Sequence, residues 1–132
     1  MPNVNLIAVL VCGVSSLVLG GLWYSPALFA KGWQSAAGLS DEQAKSGSMP
    51  MIFGGAFALS LVAAYVFAMF LGPNMPLVGA VGAGFAAGLC WVAASFGINY
   101  LFERRPLRLW LINGGYHTLQ FTLFGLILGV IR

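Results

Sequence analysis

The chain reads as four apolar stretches separated by polar breaks, at about residues 4–24, 50–71, 77–102 and 109–131. A helix that crosses the hydrocarbon core of a bilayer needs about 20 predominantly apolar residues, and each stretch supplies that length. The break Gly72-Pro73-Asn74-Met75-Pro76 has room only for a tight antiparallel hairpin. Glu103-Arg104-Arg105-Pro106-Leu107-Arg108 makes the other short connection. The pattern predicts a single all-α domain over residues 1–132, an integral membrane bundle of four antiparallel transmembrane helices.

The one long break, residues 25–49, carries its own pattern. Ser25-Pro26 reads as an N-cap with proline at the first helical position. Leu28, Phe29 and Trp33 come next at helical spacing while Lys31 and Gln34 fall elsewhere, so a short amphipathic helix is expected at the membrane interface. Gly38 is its expected stop. Ser40-Asp41-Glu42-Gln43 has the form of a capping box and predicts a second short helix. The first apolar stretch reads as a retained span. Met1-Pro2-Asn3 lacks the basic residues of a secretory leader, and no small-x-small cleavage pattern precedes a mature domain.

Composition turns these stretches into a membrane assignment. Hydrophobic residues make up 60% of the chain and charged residues 7%, where a soluble domain carries about 25% charged residues. A soluble fold this small leaves too much surface exposed to hide that apolar content. Glycine weakens helices in water, but in lipid it lets helix backbones approach closely, and there are 18 glycines. The net charge of +3 comes from basic residues in short loops, which points to topology and not to nucleic acid. Lys31, Lys45, Arg104, Arg105 and Arg108 share one side, and Arg132 with the terminal amine lies on the other. The positive-inside rule then places the two basic connections in the cytoplasm and both termini outside, in the cytoplasmic (inner) membrane of a prokaryote. Trp23, Tyr24, Tyr100 and Trp110 cluster at the same predicted boundary, as an aromatic belt does.

Three segments carry a family resemblance. They are Gly21-Leu22-Trp23-Tyr24-Ser25-Pro26 with Leu28-Phe29 and Lys31-x-Trp33, then Asn99-Tyr100-Leu101-Phe102-Glu103-x-Arg105-Pro106-Leu107, then Ile112-Asn113-x-Gly115-Tyr116-His117. In this order and spacing they resemble a family of small bacterial membrane proteins known only as domain of unknown function 1761. The resemblance covers essentially the whole chain. It implies a four-helix integral membrane fold and brings no catalytic residue, cofactor or substrate. The candidate interfacial motif is therefore Trp23, Tyr24, Pro26, Phe29, Trp33, Tyr100, Glu103, Arg105 and Tyr116.

Polar groups inside a membrane are costly and so point to function or to internal bonding. Asn113, His117 and Gln120 share one face of the fourth stretch, and Ser95, Asn99 and Glu103 form a stripe on the third. Pairing about Arg105-Pro106 sets Asn99 level with Asn113 and Ser95 level with His117. The candidate intramembrane site is Ser95, Asn99, Asn113, His117 and Gln120. Three readings of His117 stay open: a neutral structural histidine, a protonatable group in a permeation path, or an axial ligand to a bound pigment. Glu103 reads as an interfacial ion-pair partner of the neighbouring arginines, or as an anchor for the first-loop helix.

Small residues recur every four positions at Ala8-Cys12-Ser16-Gly20, at Ala80-Gly84-Gly88 and at Gly125-Gly129. They suit close helix crossing within the chain or a homodimer. Cys12 and Cys90 have no CxxC or Cys/His metal spacing, and no nucleophile, zinc or phosphate-loop motif occurs. No metal, cofactor or catalytic residue is expected. The expected partners are the bilayer and a second copy. The leading functional reading is a structural, accessory or interaction component. An oligomeric transporter or channel unit, and a lipid- or cofactor-binding membrane enzyme, remain alternatives.

Overall fold

The computed structural model describes residues 4–131. Residues 1–3 and Arg132, on which the leader and charge expectations partly rest, lie outside the described residues. The described chain is all helical. Its elements are α1 (Leu6–Trp23), α2 (Ala30–Ala37), α3 (Asp41–Lys45), α4 (Met49–Leu71), α5 (Leu77–Glu103) and α6 (Leu107–Val130).

Local chemistry sets the element ends. The side-chain oxygen of Asn5 accepts from the Ile7 and Ala8 amides at 3.0 and 3.2 Å and caps α1. Ser40 and Gln43 form the reciprocal capping box that opens α3. Gly72 ends α4 at φ 74°, a conformation glycine adopts without a Cβ penalty. The amphipathic helix starts later than expected. The Ser25 hydroxyl donates to the Leu22 carbonyl at 2.7 Å, and the Phe29 amide donates back to the Trp23 carbonyl at 3.1 Å. These bonds spend Ser25 on the end of α1 and wind residues 25–29 into turns. Helix α2 therefore begins at Ala30, and Gly38 closes it in the left-handed region at φ 75°.

Three helices, α1, α4 and α5, are long and apolar enough to cross a membrane, with mean hydropathies of 2.3, 2.0 and 1.9. The sequence reading expects four. Helix α6 has the length, at 24 residues, but Asn113, Tyr116, His117 and Gln120 lower its apolar content. Helix α6 packs against α1, α2 and α5 and touches α4, so the polar face of the least apolar long helix is covered by the others while Leu111 and Leu119 stay exposed.

Glycine makes the tightest of these contacts. A Cβ on Gly84 would collide with the Phe121 carbonyl, one on Gly125 with the Ala80 carbonyl, and one on Gly88 would stand 2.7 Å from the His117 carbonyl. The two backbones, running antiparallel, are therefore in near contact. Ala8, Cys12 and Ser16 are buried, and Gly20 faces the Tyr116 ring. All three small-residue stripes are thus filled by helices of the same chain. Cys12, Ala64, Phe67, Ala80 and Phe124 form the apolar core beside them.

Helix α5 is interrupted by a π-helical segment, Ala87–Ala93. Such a segment amounts to roughly one inserted residue and turns the remainder of the helix by about 100°. The residues of α5 that meet α6 record the insertion: Gly84, Gly88, Ala93 and Gly97 are spaced four, five and four apart. Carbonyls within the segment find side-chain donors. The Trp110 indole donates to Ala93 at 2.8 Å and the Ser95 hydroxyl to Trp91 at 2.7 Å.

Replacing Gly84 by alanine should destabilise the protein by about 1–3 kcal/mol, because the added carbon meets backbone that cannot yield. Gly54→Ala, with open space at its Cβ, should cost nothing. Unfolding in mixed micelles under rising sodium dodecyl sulfate reads both, and equal behaviour of the two variants would show that the α5–α6 approach is not tight.

Candidate functional site

Helix α6 presents two polar layers to its neighbours. The first lies near its start. The Tyr24 hydroxyl, at the end of α1, donates to the Asn113 side-chain oxygen at 2.6 Å. The Asn113 amide nitrogen donates to the Tyr100 hydroxyl of α5 at 2.8 Å. One asparagine therefore joins α1, α5 and α6. The Trp23 indole donates to the Ile112 carbonyl at 2.8 Å beside it. Tyr24 meets Trp33 of α2 edge-on at 5.8 Å and leans on Tyr116 at 5.6 Å, while Trp23 packs on Phe29 at 4.7 Å. Such aromatic pairs favour tilted and edge-on geometries. Arg105 bonds Glu103 at 3.4 Å and donates to the Ala37 carbonyl at 3.3 Å, tying the end of α2 to the α5–α6 turn. Both side chains of that pair are well exposed, so it adds little stability and acts as a tether. Pro26 lies exposed in the turn before α2.

The second layer lies about two turns deeper. Gln120 is buried, and its amide nitrogen donates to Ser16 of α1 at 3.0 Å and Ser60 of α4 at 3.4 Å. Its oxygen meets His117 Nδ1 at 2.7 Å. With the amide nitrogen committed to the two serines, the oxygen accepts and Nδ1 carries the proton. The imidazole stacks on Phe96 of α5 with centroids 5.0 Å apart and planes at 12°. Tyr116 donates to the Ser16 carbonyl at 2.9 Å. The layer connects all four long helices, and among the described residues no buried side-chain nitrogen or oxygen lacks a hydrogen-bond partner.

The structure brings Asn113, His117 and Gln120 together on the inner face, but not the stripe expected to oppose them. Ser95 and Asn99 are exposed and line an outer groove with Trp91 and Phe96. Ser95 donates to Trp91 on its own helix and not to His117. The π segment is the cause. In an unbroken α-helix Ser95 and Asn99 would share the face of Gly84 and Gly88; the insertion turns them outward and brings Phe96, Gly97 and Tyr100 in. The sequence reading also missed Ser60. Its signal was a lone hydroxyl in an apolar stretch, which in lipid calls for a partner.

Apolar helices packed over the polar face of a fourth define a small helical membrane protein. The family model described as protein of unknown function (DUF1761) matches residues 7–129, nearly the whole chain. The chain belongs to that family. No curated protein and no solved structure matches it.

The Gln120→Leu variant should lose about 1–2 kcal/mol, since three partners lose one amide and the serines recover part of the loss by bonding to their own helices. In a double-mutant cycle with Ser16→Ala the coupling should be near 0.6 kcal/mol, about the average for such bonds in membranes. Asn99→Leu, on the outer face, should leave stability unchanged. A larger loss at Asn99 than at Gln120 in the same unfolding titration would reverse the assignment of inner and outer faces.

Proposed function

We propose that the protein is a non-catalytic structural or accessory component of the cytoplasmic membrane of a prokaryote. Four helices cross, with both termini outside and the loop 25–49 in the cytoplasm. The observation that carries this reading is the Gln120 junction. His117, the residue with the most chemical potential inside the membrane, is held by Gln120 on one edge and Phe96 on one face. Its environment is that of a strut. Helix α6 serves as the fourth span because its 24 residues reach about 36 Å, more than the hydrocarbon thickness of about 30 Å. Its polar face meets protein on α1, α4 and α5 and not lipid. The faces left exposed are apolar, with Met51, Leu59, Phe70, Val78 and Leu101 more than 70% accessible, as a lipid-facing surface requires.

Topology is tested with single cysteines in a Cys12→Ala, Cys90→Ala background. A membrane-impermeant maleimide should label Asn74→Cys in intact spheroplasts, and Glu42→Cys or Arg104→Cys only after permeabilisation. A protease-cleavable tag appended after Arg132 should be cut from outside. Labelling of Arg104→Cys on the same side as the tag would mean that α6 does not cross.

His117→Ala tests the role. It should lower stability by about 1–3 kcal/mol through the lost hydrogen bond and ring contact. Proton and potassium permeability of proteoliposomes should be the same with wild type, the variant or no protein. A flux present with wild type and lost in a folded His117→Ala variant would replace the structural reading with transport.

A further inference from the structure

Two grooves meet on the flank of α6 between α2 and α5. One, of about 600 Å³, is walled by Leu28, Phe29 and Gly32 and carries Lys31 and Arg108. The other, of about 360 Å³, passes over Phe85, Leu89, Thr118 and Leu119 and is almost wholly apolar. Trp23, Leu111 and Gly115 line both, so the two grooves adjoin along the outside of the helix, with the Trp23 indole lying over Gly115 at the junction. Arg108 and Leu119 are eleven positions apart on α6, which sets the charged and apolar ends about 16 Å apart along the helix. That is about half the hydrocarbon thickness, the depth of one leaflet.

The charged end is built by packing. A Cβ on Gly32 would stand 2.9 Å from an Arg108 guanidinium nitrogen, so the missing side chain lets the guanidinium lie against α2 beside Lys31. Among the described residues the salt bridge present is Arg105–Glu103, and no carboxylate pairs with Lys31 or Arg108. The Trp23 indole, held by the Ile112 carbonyl, fixes the wall where the two grooves join. Two uncompensated cations at the head of an apolar groove one leaflet deep are complementary to an amphiphile with an anionic head. The basic loops put this end at the cytoplasmic surface, where anionic lipids are enriched.

We propose that these adjoining grooves seat one anionic phospholipid, with its phosphate between Lys31 and Arg108 and an acyl chain passing the edge of Trp23 along the exposed Leu111 and Leu119. A zwitterionic lipid offers the same phosphate together with an ammonium that Lys31 and Arg108 repel.

The test is native mass spectrometry of protein released from nanodiscs of equal phosphatidylglycerol and phosphatidylcholine. Wild type should retain one phosphatidylglycerol about tenfold more often than phosphatidylcholine. The Lys31→Gln, Arg108→Gln double variant should lose that preference. The Lys45→Gln, Arg104→Gln double variant, with the same change of charge outside the grooves, should keep it. Leu119→Trp, which fills the apolar end, should lower retention with both cations intact, and millimolar inorganic phosphate should not displace the lipid. Equal retention of the two lipids by wild type overturns the proposal without recourse to any variant. So does loss of the preference in the Lys45, Arg104 variant, which would reduce it to general surface charge, or displacement by phosphate, which would make the acyl chain irrelevant.

Discussion

Gln120 places a buried primary amide about two turns along α6 from the Asn113 layer, where only the protein can supply its hydrogen-bond partners. An amide left bare there costs several kcal/mol, so the polar face of α6 has to be covered. Ser16 and Ser60 receive the amide nitrogen from two different helices, and His117 takes the oxygen. The rest of the arrangement is a consequence of that enclosure. Helices α1 and α5 lie along α6, α4 brings Ser60 to Gln120, and apolar residues on their far sides are left exposed. A helix that fails a simple apolarity criterion thereby becomes the axis of the molecule.

Enclosure demands proximity, and proximity is where the glycines act. In lipid there is no hydrophobic gain from bringing apolar helices together, so association rests on van der Waals contact and interhelical hydrogen bonds. Gly84, Gly88 and Gly125 remove the side chains that would hold the α5 and α6 backbones apart. A straight α5 could present such a small face only over its first half, since Ala93 and Gly97 would drift away from the stripe. The π segment resets the rotation and extends the contact to the interfacial end. There Tyr100 can reach Asn113, and Trp110 can reach the Ala93 carbonyl. The inserted residue is thus what lets one helix serve both polar layers.

Features that depend on neighbours in sequence were legible without the structure. The capping box at Ser40, the left-handed stop at Gly38, and the shared face of Asn113, His117 and Gln120 each arise from spacing alone. Features that depend on a single change of register were not. No residue in Ala87–Ala93 announces a π turn, and an unbroken period of 3.6 places Ser95 and Asn99 on the inner face with full internal consistency. The error is a rotation by one residue, and it exchanges an entire stripe. Ser25 failed for a related reason. It has the chemistry of a helix N-cap, but its hydroxyl donates to Leu22 in the preceding helix and its backbone carbonyl accepts from Leu28 and Ala30, so residues 25–29 form turns. A serine at a helix junction can bond back to the helix before it as readily as cap the one after it, and residue type alone does not choose between them.

The end of the molecule that carries the basic loops is held by directional bonds. At the interfacial end Trp23, Tyr24, Tyr100, Asn113 and Arg105 link α1, α2, α5 and α6 through side chains with defined donors and acceptors. Helix α4 packs chiefly on α1, and much of it faces outward. Directional bonds fix geometry, whereas apolar contacts in a lipid solvent permit sliding, because lipid tails substitute for the lost neighbours. The bonds among α1, α2, α5 and α6 therefore hold this end in place. The groove headed by Lys31 and Arg108 opens at that same end. A recognition surface needs supporting residues that hold still, and the belt supplies them: Trp23 is at once a hydrogen-bonded member of the belt and a wall of the groove. The bonds that cover the polar face of α6 and the wall of the proposed lipid seat are thus parts of one construction.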